Sequence, residues 1–275
     1  MEIQLNENER IDDLEIKNMK IIQNKNGFCF GIDSVLLSDF AKEIKDNSRV
    51  VDLGTGTGIL GILLCAKTNL KEIIGLEIQD EVAQMAQKSI LLNGLENKFK
   101  ILNINIKEIK NIENKNKLNK KIENNQIINH RLNKKNTEII LEKNSFDYVV
   151  TNPPYKKINT GKINENEKKL ISRHEVTANL NDFIETAKFL LKDKGTLFMV
   201  HRPDRLVDIL EEMRKEKIEP KEIKFVYPKI NEEPNLVLIK GVKNAKSFLK
   251  VDKPLYVYDK NGNYTEEILK IYQKI

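Results

Sequence analysis

Five short runs rich in apolar and β-branched residues, at 49–53, 72–77, 98–102, 146–151 and 196–200, punctuate the chain. Between several of them, apolar residues return every three or four positions. The first pattern predicts strands and the second amphipathic helices. Helical spacing links Ile59, Leu60, Ile62, Leu63 and Leu64, and then Val82, Ala83, Ala86 and Ile90 behind Asp80. It returns in Phe183, Ile184, Ala187, Leu190 and Leu191 behind Asn181, and in Leu206, Ile209, Leu210 and Met213 behind Pro203. Strands alternating with helices imply an α/β protein with a doubly wound, mostly parallel sheet. Two more strands, 222–227 and 235–240, follow one another with no helix between them, which predicts an antiparallel pair at one edge. Asp33 stands where an N-cap belongs for a helix reaching Ile44, and a closing helix is expected after Thr265.

The run 49–53 passes directly into Gly54-Thr55-Gly56-Thr57-Gly58 and then into a helix. Glycine permits a tight turn and close approach of backbone to ligand, and a helix start offers unpaired N–H groups. The run 72–77 ends on Glu77, about 20 residues beyond the last of these glycines, where a carboxylate can accept both ribose hydroxyls of a nucleoside cofactor. Gly56-Thr57-Gly58-Ile59-Leu60-Gly61 also fits the dinucleotide fingerprint, so the glycines alone do not choose between NAD and another nucleoside.

The run 146–151 delivers Asn152-Pro153-Pro154-Tyr155. An exocyclic or carboxamide amine is a poor nucleophile because its lone pair is delocalised, but it keeps two hydrogens to donate. The Asn152 side-chain oxygen and the Pro153 carbonyl can accept them, and two consecutive prolines fix the geometry of both acceptors. These bonds strengthen as the nitrogen becomes tetrahedral, so they favour the transition state without a strong base. Tyr155 offers an aromatic face to a flat substrate. Asn152, Pro153, Pro154 and Tyr155 are therefore the candidate catalytic residues, the alternative being an ordinary Pro-Pro turn after a buried strand.

The chain has 275 residues and a net charge of +6. Length favours one or two domains, and a single unit over 1–275 is expected. Nine basic residues against four acids in the Asn- and Lys-rich segment 110–143 account for most of the net charge. That segment is read as a basic insertion, flexible by composition, between the third and fourth strands, either solvated filler or an arm for RNA phosphates. Neither Cys29 nor Cys65 belongs to a metal-like pair, so no metal is expected and a reduced thiol is the reading for both. No apolar run approaches the length of a membrane span and no leader is visible at the start, so a cytoplasmic protein without membrane contact is expected. Oligomeric state leaves no signal in the sequence.

Asp52 ahead of the glycine turn, the additional Gly54 and the downstream Asn-Pro-Pro-Tyr together resemble the class I methyltransferases, whose Rossmann-like sheet has seven strands. The resemblance implies S-adenosyl-L-methionine as cofactor, with Asp52, Gly54, Gly56 and Gly58 lining its site and Glu77 holding its ribose. Where members of that family commonly carry an acid for the adenine amine, this chain has Asn105, whose amide oxygen can accept the same bond. Gly27-Phe28-Cys29-Phe30-Gly31-Ile32-Asp33-Ser34-Val35-Leu36-Leu37, Lys156-Lys157, Ser172-Arg173-His174-Glu175 and Lys253-Pro254-Leu255-Tyr256-Val257-Tyr258 narrow the likeness. With them the chain looks like the bacterial tRNA(Val) adenine-N6-methyltransferase family from about Asn24 to its end, segment 110–143 excepted. This implies tRNA as partner and an anticodon-loop adenine flipped onto Tyr155. It makes Lys156, Lys157 and Arg173 candidate phosphate contacts, and His174 a proton acceptor, an RNA contact or a plain structural histidine.

Other readings stay open at this point. A protein glutamine N5-methyltransferase or an rRNA base-amine methyltransferase would use the same tetrapeptide. The former is expected to carry a helical amino-terminal domain, for which the 49 residues before Val50 are too few. A DNA adenine methyltransferase would want a target-recognition domain, an NAD oxidoreductase rests on the glycines alone, and an inactive RNA-binding module leaves Asp52, Glu77 and Asn152 without a task.

Overall fold

The central strands carry apolar side chains on both faces, and this decides where they lie. In the computed structural model, which describes residues 3–26, 31–110, 141–155 and 178–274, Val50, Val51 and Leu53 of β3 (Arg49–Leu53) are fully buried. Parallel strands covered by helices on two sides require such unbroken apolar runs. β4 (Glu72–Glu77), β5 (Phe99–Asn103), β6 (Phe146–Thr151) and β7 (Leu191–His201) join it in parallel in the order β5-β4-β3-β6-β7. β9 (Leu236–Lys243) pairs antiparallel with both β7 and β8 (Ile218–Tyr227), which completes the expected seven strands. The two-residue strands β10 (Lys250–Val251) and β11 (Leu255–Tyr256) extend the sheet alongside β8.

Alternate side chains divide the core into two layers. Val50, Ile73, Ile101, Val150 and Val200 face one side, with apolar residues of α1 (Ile32–Phe40), α2 (Ile59–Lys67), α3 (Asp80–Leu92) and the closing helix α7 (Glu266–Ile271). Val51, Ile74, Leu102, Val149 and Met199 face the other, under α4 (Ile106–Lys110), α5 (Leu180–Leu190) and α6 (Leu206–Lys215). Gly61 lets α2 close onto the sheet, because a Cβ there would lie 2.3 Å from the Phe99 ring. The basic segment leaves and re-enters the second layer at Ile109 and Leu141, both buried, while residues 111–140 lie outside the described residues. Among the described residues no helix is long and apolar enough to cross a membrane.

Three local expectations change. Asp33 does not cap α1: Gly31 takes the N-cap position with no side-chain bond, and Asp33 falls in the first turn with its carboxylate turned elsewhere. The helix ends at Phe40, short of Ile44. Asn179, not Asn181, opens α5, where its side chain accepts from the Asp182 N–H at 3.1 Å and Asp182 returns the bond to the Asn179 N–H at 2.9 Å. An amino-terminal hairpin, β1 (Glu9–Asp13) with β2 (Lys20–Asn24), had no counterpart in the apolar pattern; it docks on α3, where the Ser89 hydroxyl accepts from the Ile22 N–H.

Candidate active site

The two sequence motifs meet because β3 and β6 are neighbours. Leu53 is paired with Thr151, and the Thr151 hydroxyl donates to the Leu53 carbonyl at 2.8 Å. Gly54 and Asn152 therefore leave adjacent strands side by side, at the point where the winding of the sheet reverses between β3 and β6. Open α/β sheets bind ligands just outside the carboxyl strand ends at such a reversal.

The glycine turn is held open for a ligand. Gly54, Gly56 and Gly58 adopt φ of +70°, +58° and +88°, which side chains rarely tolerate. A Cβ on Gly56 would meet nothing within 4 Å, whereas one on Gly54 would lie 3.2 Å from the Phe183 ring of α5. Glu77 anchors the turn, accepting from the Gly56 N–H at 3.0 Å on one oxygen and from the Gln79 N–H at 2.9 Å on the other. A carboxylate has about four lone-pair sites, so Glu77 can still take two ribose hydroxyls. The open space at Gly56 beside this acceptor fits a nucleoside cofactor.

Asp52 lies beneath the turn and accepts from the Thr55 hydroxyl at 2.6 Å. Burial drives its carboxyl from 3.8 up to about 7; the Thr55 bond pulls it down and the charge of Glu77 pushes it up. Between pH 4 and 7 the unfolded chain releases this proton while the folded chain keeps it, so the folded state binds more protons and loses stability as pH rises. Asp52→Asn should abolish that term. Its melting temperature relative to the parent should climb from pH 4 to 7 and level off above, and a difference flat in pH would contradict the burial account.

At the end of β6 the amide of Asn152 is clasped from two sides. Its Nδ2 donates to the Ser34 hydroxyl at 3.3 Å, and its Oδ1 lies 2.6 Å from the Tyr155 hydroxyl. The same hydroxyl is 2.6 Å from the Asp33 carboxylate. Burial, and then the negative charge of Asp33, raise the Tyr155 phenol far above its ordinary range, so it stays protonated. The His201 ring sits edge-on to Tyr155, with centroids 5.1 Å apart. His201 is 1% exposed and burial lowers it to about 4, so it is neutral, with Nδ1 accepting from the Arg202 N–H. Pro153 is buried and Pro154 exposed, leaving the turn partly open to an incoming group.

Sequence reasoning placed Asp52, Gly54, Gly56, Gly58, Glu77, Asn152, Pro153, Pro154 and Tyr155 at strand ends, and in the structure they lie at or just beyond the carboxyl ends of β3, β4 and β6. Asn105 Oδ1 accepts from the Lys107 N–H at 3.0 Å at the start of α4, and an amide oxygen has a second lone pair that an adenine amine can use. Lys156, Lys157, Arg173 and His174 lie outside the described residues. Asp33, Ser34, Phe183 and His201 were missed as site residues. His201 carried a usable signal, since it ends the strand that follows the one bearing Asn152.

The family model described as Eco57I restriction-modification methylase matches residues 71–233. The chain is 22% identical over 256 residues to a protein of Haemophilus influenzae (strain PittEE) named tRNA1(Val) (adenine(37)-N6)-methyltransferase, covering 93% of this chain and 94% of that protein. A Parabacteroides distasonis protein of the same name is 23% identical, covering 82% of this chain and 81% of its own length. Among solved structures, a predicted O-methyltransferase from Agrobacterium tumefaciens shares the fold with a TM-score of 0.61 at 18% identity, covering 88% of this chain and 95% of that one. P. horikoshii TYW2 in complex with MeSAdo shares it with a TM-score of 0.54 at 12% identity, covering 87% and 73%.

Proposed function

We propose that this chain, which belongs to the Eco57I restriction-modification methylase family, is a methyltransferase that moves the methyl group of S-adenosyl-L-methionine to the N6 amine of an adenine in tRNA. The observation that carries the reading is the Thr151–Leu53 bond, which sets the Asn152 amide beside the glycine turn. The choice of tRNA, and of adenine 37 of a valine tRNA, follows the names of the Haemophilus and Parabacteroides relatives. The whole chain acts as one catalytic unit, with the basic segment 110–143 as an insertion, in the cytoplasm where tRNA is found.

When bound, S-adenosyl-L-methionine supplies a methyl group made electrophilic by a positively charged sulfur. Glu77 would take the two ribose hydroxyls while keeping its hold on Gly56, and the three glycines would admit the cofactor close to the backbone. Asp52 underlies the turn and fixes Thr55. Asn152 Oδ1 and the Pro153 carbonyl accept the two amine hydrogens and so aim the nitrogen lone pair; proximity and alignment supply most of the rate enhancement. Tyr155 lends its ring face to the adenine. Lys156, Lys157 and Arg173 are proposed phosphate contacts, and His174 a further RNA contact.

Purified protein incubated with labelled S-adenosyl-L-methionine and, separately, tRNA, duplex DNA or a release-factor protein tests this choice of substrate. Label should enter tRNA. Label in DNA would instead favour an activity nearer to that for which the family model is described, and label in the protein a carboxamide substrate.

A further inference from the structure

Asp33 reaches the site from outside both motifs. It is not spent on its own helix, because Gly31 occupies the cap position and makes no side-chain bond there. Its Oδ2 instead lies 2.6 Å from the Tyr155 hydroxyl, and the same hydroxyl lies 2.6 Å from Asn152 Oδ1. A phenol has one hydrogen, so it serves one of these oxygens at a time. A hydrogen donated to Asn152 takes one of the two lone pairs of the oxygen that must accept from a substrate amine and so weakens it as an acceptor; a hydrogen turned to Asp33 relieves that competition. Hydrogen bonds to a carboxylate are roughly twice as strong as neutral ones, which favours the second arrangement.

The geometry points to Asp33 as a positioning residue that draws the Tyr155 hydrogen away from Asn152 and leaves the amide oxygen to the substrate amine, an inference that rests on the amine-methylation reading. Gly31 belongs to the same device. A Cβ at that position would lie 2.3 Å from Asp33 Oδ1, so glycine gives the carboxylate room to fold back over the helix start. Ser34, the next residue on α1, meets the other end of the Asn152 amide at 3.3 Å. One turn of α1 thus governs both ends of the catalytic amide.

A double-mutant cycle with two readouts tests this. Asp33→Ala should lower kcat for methyl transfer roughly tenfold with cofactor Kd unchanged, and Asp33→Asn, which keeps an acceptor without the charge, should lose less. In a Tyr155→Phe background the same Asp33→Ala change should cost nothing further, because no hydroxyl remains to be drawn away. The second readout needs no turnover. With isotope-labelled asparagine, Asp33→Ala should shift the Asn152 side-chain amide resonance, and the shift should disappear in the Tyr155→Phe background. Equal losses of kcat in both backgrounds, or an Asn152 resonance that Asp33→Ala and Asp33→Asn both leave unmoved, would overturn the inference. A native protein that methylates no substrate counts against the methyltransferase reading alone, since the resonance still reports the hydroxyl relay.

Discussion

Asn152→Ala should lower kcat for methyl transfer roughly a thousandfold while the cofactor Kd stays within about twofold, as expected when one preorganised acceptor of a developing charge is removed. The amide lies at the end of β6, and its described bonds reach Ser34 and Tyr155. None of those contacts passes through Glu77 or the glycine turn, so cofactor binding has no reason to follow. Asn152→Asp is a sharper version of the same experiment. It keeps the size and an oxygen but loses the Nδ2 donor that meets Ser34 and sets a second carboxylate near Asp33, so it too should be severely impaired. Equilibrium binding of labelled cofactor beside single-turnover kinetics separates the two effects. A large rise in cofactor Kd for Asn152→Ala, with kcat preserved at saturation, would show that the amide serves the cofactor and not the amine.

Glu77→Ala should do the reverse. Hydrogen bonds to a charged group contribute about 1.5–3 kcal/mol each, so losing an acceptor for two ribose hydroxyls should raise the cofactor Kd about 100-fold or more. The variant should also melt earlier. Its carboxylate holds the Gly56 and Gln79 N–H groups, and each donor left without a partner costs about 1–3 kcal/mol. Titration calorimetry below the melting temperature reads the affinity, and kcat at saturating cofactor should change much less than Kd. Unchanged affinity in a folded Glu77→Ala protein would remove Glu77 from the cofactor site.

What could be read from the sequence follows from where each residue's partners lie. β3, β4 and β6 were found with their ends intact because strands buried on both faces show as continuous apolar runs, and the turns after β3 and β6 are dictated by glycine and proline. The hairpin β1–β2 was invisible for the opposite reason. Glu9 is buried yet satisfied by Lys88 at 2.7 Å across 79 residues, while Ile11 of the same strand is 43% exposed, so polarity and burial are inverted along it. Asp33 was misread because a cap is a local bond legible from neighbours, whereas its actual partner Tyr155 is 122 residues away. Asn105 carries a bond of the local kind: its Oδ1 accepts from a backbone N–H two residues on, which leaves the second lone pair of that oxygen for a ligand. The geometry of the glycine turn and the place of Asn-Pro-Pro-Tyr behind its strand were legible in the chain, since both depend on backbone conformations that only a few residue types supply. The shell around them, Phe183 against Gly54 and His201 against Tyr155, arises from strand and helix neighbours that only the folded sheet defines.

The central claim is that an exocyclic adenine amine is the methyl acceptor at Asn152. Complete digestion of tRNA after reaction with the native protein, followed by identification of the labelled nucleoside, tests it most directly. N6-methyladenosine, absent when Asn152→Ala replaces the native protein, is the result expected; a methyl group on a ring nitrogen, a ring carbon or a ribose oxygen would contradict the account.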